Sequence, residues 1–123
     1  IFSFKDIAIA SLNMCFRGMS YFPVSMDILV TRECNQACRM CWASSRQSKN
    51  TNGSGDILSF TDLETFFAEV SRYRPVIHFG GGEPFLRKDM LAIIESVKKT
   101  GMKCLVTTNG TLLNGDNIEK LIE

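Results

Sequence analysis

Residues 25–41 read SMDILVTRECNQACRMC, an apolar run followed at once by three cysteines. The apolar half is short and rich in aliphatic residues, which predicts a buried strand. Cys34, Cys38 and Cys41 then follow with the spacing C-x₃-C-x₂-C. Clustered thiolates select zinc or iron–sulfur clusters, and a closed site usually takes four protein ligands. Three thiolates therefore favour a [4Fe–4S] cluster with one iron left open for a group that is not protein.

Zinc is the alternative that the cysteines alone leave open. It would need a fourth ligand, and the candidates are Cys15, Cys104 and His78, the single histidine. Cys104 falls inside a predicted strand and Cys15 in the segment before the first strand, so neither is well placed. We expect both thiols to be small buried apolar groups.

Composition limits the function classes. The 123 residues suffice for one domain with a core, and the net charge of +1 comes from interleaved acidic and basic residues. We therefore expect no nucleic-acid partner and no membrane surface. Three of the five cysteines are too close together for an ordinary disulfide framework, which favours metal binding in the reducing cytoplasm.

Apolar strands alternate with amphipathic helices along the chain. The pattern Thr61-Asp62-Leu63-Glu64 matches a capping box at the start of the first helix. The chain begins at Ile1 and ends within a predicted helix, so we expect a piece of a longer protein with residues 1–24 as a lead-in segment and 25–123 as an incomplete domain. We predict strands over Ser25–Thr31, Val76–Phe79 and Cys104–Thr107, and helices from Thr61 to before Pro75, over Lys88–Thr100 and from about Asn114.

This order predicts an α/β fold of parallel strands joined by right-handed helical crossovers. The cysteines follow the first strand, Gly80-Gly81-Gly82-Glu83-Pro84 ends the second, and Thr108-Asn109-Gly110 ends the third. The carboxyl ends of parallel strands share one edge of a sheet, where ligands of α/β proteins bind. We therefore expect three motifs that are distant in sequence to form one site.

This combination of motifs resembles the radical S-adenosylmethionine (radical SAM) enzymes, over Ser25 to the end of the chain. Gly82–Asp89 and Thr107–Gly110 are most similar to the group that contains the molybdenum-cofactor cyclase and the peptide-modifying enzymes with a C-terminal cysteine-rich (SPASM) extension. The resemblance implies the N-terminal half of a partial (β/α)6 TIM-like barrel with βαβαβα order.

The same resemblance implies the chemistry. Cys34, Cys38 and Cys41 would hold a [4Fe–4S] cluster, whose fourth iron is chelated by the amino nitrogen and carboxylate of S-adenosylmethionine. A reductant such as ferredoxin or flavodoxin supplies an electron that cleaves the sulfonium to methionine and a 5′-deoxyadenosyl radical. That radical abstracts hydrogen from a substrate.

Further site residues also follow from the resemblance. Gly81, Gly82 and Glu83 would bind the methionyl amino group, through a backbone carbonyl or the Glu83 carboxylate. Met40 would pack near the adenine, and Thr108 and Asn109 would contact the methionyl or ribose groups. From the residues alone, the glycine run and Asn-Gly are also typical of plain turns, and Trp42 and His78 are better explained as a packing and a barrel-lining residue.

Three functions remain open at this point. We expect a peptide or protein side chain as the radical's target, with a nucleotide cyclase as the second enzyme hypothesis. A non-catalytic Fe–S or zinc module that binds a partner or passes electrons is the hypothesis from another class, although such a module would not need the glycine run.

Overall fold

The computed structural model describes residues 23–41 and 58–122. The predicted lead-in up to Phe22, Trp42 and the polar segment Ser44–Asp56 lie outside these ranges. Two short 3₁₀ turns, Ser71–Tyr73 and Pro84–Leu86, join the main elements. The strands are β1 (Ser25–Thr31), β2 (Val76–Gly81) and β3 (Lys103–Val106), and the helices are α1 (Phe60–Val70), α2 (Met90–Lys99) and α3 (Gly115–Ile122).

The three strands form one parallel sheet in the order β1-β2-β3. Asp27 lies opposite His78, which lies opposite Leu105. The predicted α/β fold, with parallel strands alternating with helices, is confirmed. Strand and helix ends differ from the predicted ones by a few residues; the largest change for the site is that β2 runs on into Gly81.

The core lies on one face of the sheet, where α1 and α2 cover it. The rings of Phe67 on α1 and Phe79 on β2 meet edge to face with centroids 6.0 Å apart. Alternation along the strands turns Leu29 and Leu105 to the opposite face, where they are 61% and 53% exposed. The buried apolar residues are Val30, Leu63, Phe67, Ile77, Phe79, Met90, Ile93, Ile94, Val97 and Met102.

Helix α1 is capped two residues earlier than predicted. The hydroxyl of Ser59 accepts from the Asp62 backbone N–H at 3.1 Å, and the Asp62 carboxylate accepts from the Ser59 N–H at 3.1 Å. The Ser59 hydroxyl, at 2.6 Å, and the Ser59 N–H both donate to the Asp62 carboxylate and lower its pKa. The predicted box at Thr61 and Glu64 is therefore wrong: Ser59 has the extended backbone of an N-cap, whereas Thr61 already lies within the helix.

Membrane insertion was not expected from the sequence. Over residues 23–41 and 58–122, the helices are too short or too polar to cross a bilayer.

The capping assignment predicts a difference between two neighbouring hydroxyl residues. Ser59→Ala should lower the free energy of unfolding by about 1 kcal/mol, because the N-cap acceptor is lost. The matched control Thr61→Ala should leave stability nearly unchanged or slightly raised, since alanine has the higher helix propensity. Urea unfolding of the two variants checks this, and a larger loss for Thr61→Ala would contradict the assignment.

Candidate functional site

The segments that follow β1 and β2 stay paired beyond the ends of the strands. The Gly82 N–H donates to the Thr31 carbonyl at 2.9 Å, and the Glu83 N–H donates to the Glu33 carbonyl at 2.7 Å. These bonds hold the start of the cysteine segment directly beside the glycine run. The predicted convergence of the first two motifs is therefore present in the structure.

Two glycines are required by this pairing. At Gly81, where φ is +122°, an added Cβ would lie 2.2 Å from the Thr31 carbonyl oxygen. At Gly82 it would lie 2.0 Å from the Glu33 carbonyl oxygen. Neither position admits a side chain without moving the backbone. The glycine run predicted a close approach of the backbone, and the structure shows that the partner is the protein's own chain at the end of β1.

Glu83 connects the glycine run to the segment after β3. Its side chain is fully buried, yet each carboxylate oxygen is hydrogen-bonded. One oxygen accepts from the Phe85 N–H at 3.1 Å and the Thr108 hydroxyl at 2.7 Å, and the other accepts from the Asn109 N–H at 2.8 Å. Burial of a carboxylate is tolerated because these donors replace water. The Glu83 carboxylate thus serves three donors within the protein, and its predicted contact with the methionyl amino group stays a prediction.

The cysteine segment follows without regular secondary structure. Cys34 and Cys41 are partly exposed and Cys38 is exposed. The segment turns between the last two thiols, where the Cys41 N–H donates to the Cys38 carbonyl at 3.0 Å. The Gln36 N–H donates to the Cys34 sulfur at 3.4 Å, and Cys38 Sγ lies 3.6 Å from the side-chain oxygen of Gln36.

Among the described residues, no group of three or more His, Cys, Asp or Glu side chains is already arranged to hold a metal ion. Three thiols that are at least partly exposed on one short segment are the donor type that a [4Fe–4S] cluster takes.

The two described candidates for a fourth zinc ligand lie elsewhere. Cys104 packs against the apolar core on the helix-covered face, and burial raises the pKa of its thiol. His78 lies on the opposite face, where Nδ1 is 2.7 Å from an Asp27 carboxylate oxygen and Nε2 is 2.7 Å from the Thr107 hydroxyl. Cys15 lies outside the described residues. The sequence predicted His78 as a lining residue but missed both of its partners.

A second set of contacts joins the cysteine segment to the segment after β3. The amide nitrogen of Asn109 lies 2.8 Å from the side-chain oxygen of Asn35, and Asn35 donates to the Thr111 hydroxyl at 2.8 Å. Sequence reasoning named Asn109 but missed Asn35 and Thr111, which carry no signal beyond their place in polar loops.

Arg87, also missed, anchors the turn after the glycine run. Its guanidinium pairs with Asp89 at 2.8 and 2.9 Å and donates to the Val30 carbonyl at 3.2 Å. The hydrogen bonds from Arg87 lower the pKa of Asp89. Met40 is 93% exposed beside the cysteines, and its predicted contact with adenine stays a prediction.

The family assignment follows from comparison with known proteins. The family model of the radical SAM superfamily matches residues 28–123. The chain belongs to the radical SAM superfamily. Its resemblance to that superfamily, expected from the cysteine, glycine and Thr-Asn-Gly motifs, is thereby confirmed. No solved structure matches the chain.

The chain is similar to curated proteins with several different names. It is 33% identical over 95 residues to the Fe-coproporphyrin III synthase of Methanosarcina barkeri, covering 76% of this chain and 23% of that protein. It is 34% identical over 97 residues to the AdoMet-dependent heme synthase of Oleidesulfovibrio alaskensis, covering 76% and 24%. It is 33% identical over 94 residues to the probable GTP 3′,8-cyclase of Methanothermobacter thermautotrophicus, covering 75% and 29%. The chain therefore spans about a quarter of the length of these relatives.

The Glu83 contacts predict a stability loss from an isosteric change. In Glu83→Gln, either orientation of the amide turns an N–H toward a backbone donor, at Phe85 or at Asn109. An unsatisfied buried group should cost about 1–3 kcal/mol of unfolding free energy. Urea unfolding measures this, with Glu64→Gln on the exposed face of α1 as the control. Equal stability of the two variants would contradict the conclusion that these three hydrogen bonds to Glu83 stabilise the fold.

Proposed function

We propose that this chain carries the N-terminal part of a radical SAM enzyme that cleaves S-adenosylmethionine reductively at a [4Fe–4S] cluster. The observation that supports the proposal best is the pairing of the cysteine segment with the glycine run. This pairing brings the three-cysteine segment beside a run of three glycines at one sheet edge. A module that only passes electrons has no use for such a glycine run.

Cys34, Cys38 and Cys41 would hold the cluster, which would supply one electron to the bound S-adenosylmethionine. The carbonyls of the glycine run would accept from its amino group, because the buried Glu83 carboxylate is already occupied by three donors. Thr108 also donates to Glu83, so its contribution to cofactor binding would be to position the loop. Asn109 and the exposed Met40 remain proposed contacts to the cofactor.

The names of the relatives change the order of the substrate classes that the sequence suggested. Those named here are a porphyrin synthase, a heme synthase and a GTP cyclase. We therefore place a small cofactor-like molecule, a macrocycle or a nucleotide, before a peptide or protein side chain as the target of hydrogen abstraction. A ferredoxin- or flavodoxin-type reductant and a cytoplasmic location belong to the same proposal.

The ligand assignment predicts a clear difference between two cysteine variants. After anaerobic reconstitution of the full-length protein, Cys38→Ala should lose the cluster absorbance and all 5′-deoxyadenosine formation, because a cluster ligand is missing. Cys104→Ala, which removes a thiol from the core side of β3, should keep both. Iron and sulfide analysis with chromatography of reduced reactions checks this. Bound zinc without iron or sulfide in the wild type would overturn the enzyme proposal.

A further inference from the structure

Three polar side chains close a ring of hydrogen bonds between the cysteine segment and the segment after β3. Asn35 Nδ2 donates to Thr111 Oγ1 at 2.8 Å, and Thr111 Oγ1 donates to Asn109 Oδ1 at 2.7 Å. Asn109 Nδ2 completes the ring by donating to Asn35 Oδ1 at 2.8 Å. Around the ring, each donor therefore meets an acceptor.

The amide of Asn109 therefore has one orientation. Its oxygen also accepts from the Thr111 backbone N–H at 3.0 Å, and a backbone N–H can only donate. Flipping the amide would set this donor against the NH₂ group and break the bond to Asn35. The backbone of Asn109 is held as well, through its N–H to the buried Glu83 carboxylate.

This fixed orientation turns the second amide proton toward a cluster ligand. An NH₂ group can donate two hydrogen bonds, and the side-chain oxygen of Asn35 accepts one of them. The Asn109 nitrogen lies 4.0 Å from Cys34 Sγ. The same sulfur accepts from the Gln36 backbone N–H at 3.4 Å. Cys34 is thus approached by one main-chain and one side-chain N–H donor.

We propose that Asn109 is a positioning residue that donates an N–H···S hydrogen bond to the Cys34 thiolate and raises the reduction potential of the cluster. The inference rests on the proposed function, because it requires a cluster on Cys34. Hydrogen bonds to the sulfurs are among the factors that set the potentials of iron–sulfur clusters. Reduction adds negative charge to the cluster, so a donor at a ligand sulfur stabilises the reduced state more than the oxidised state.

The test is a redox titration of the reconstituted full-length protein, followed by EPR of the reduced cluster. Asn109→Leu keeps much of the side-chain volume, removes the donor and adds no charge. Its midpoint potential should become more negative, with a change in the reduction equilibrium of roughly threefold to tenfold, where tenfold is about 59 mV for one electron. Thr111→Val keeps the backbone N–H to Asn109 and should shift the potential less, in the same direction.

The matched control is Asn117→Leu on α3, whose amide donates to the Leu112 carbonyl at 3.3 Å. Its midpoint potential should equal that of the wild type. An unchanged or more positive potential in Asn109→Leu, with wild-type iron and sulfide content, overturns the role of Asn109.

Two further readouts keep the proposals separate. If Asn109→Leu does not retain a cluster, Asn109→Ala serves instead, because it is smaller, lacks both amide donors and adds no charge. An unchanged potential in that variant overturns the inference, and a more negative one supports it. Failure of the wild type to assemble any cluster overturns the proposed function itself, before a potential is measured.

Discussion

The whole site depends on one close approach between two backbones. Gly81 and Gly82 pass so near the carbonyls of Thr31 and Glu33 that a single added carbon at either position would overlap an oxygen. In return, the N–H groups of Gly82 and Glu83 pair with those same carbonyls. The parallel hydrogen-bond ladder thus continues past the strands. The residues just before Cys34 are held in place by the segment that follows β2.

A buried carboxylate extends this order from the second strand to the third. Glu83 lies one residue beyond the close approach and accepts from donors at Thr108 and Asn109. Since an unpaired carboxylate would be costly in the interior, the segment after β3 is held in the one arrangement that satisfies it. Asn109 can then reach Asn35 and the sulfur of Cys34. Backbone hydrogen bonds join the segments after β1 and β2, and side-chain hydrogen bonds join the segment after β3 to both of them.

Much of this was predictable because it rests on local pattern. Apolar runs located the strands, and parallel strands have to bring their carboxyl ends to one edge, so the meeting of the three motifs followed. The roles inside the site were not predictable. Glu83 in a loop has the sequence appearance of a ligand, and only the fold shows three donors around it. Asn35 and Thr111 are common loop residues 76 positions apart. The helix cap was misplaced because Ser59 and Thr61 both head acceptable patterns and differ only in backbone conformation.

The face of the sheet that α1 and α2 leave uncovered is organised by side chains, unlike the sheet edge, where the backbone pairing holds the candidate site. Asp27 on β1, His78 on β2 and Thr107, the residue after β3, form a hydrogen-bonded row there. His78 lies two residues before Gly80 on the same side of β2, which is about 7 Å lower along the strand. Farther along the chain, Gly81 and Gly82 are required by the close approach of the backbone, whereas nothing in the main chain dictates this row. The edge of the sheet is therefore constrained by its backbone, and the layer one step below it is set by side chains.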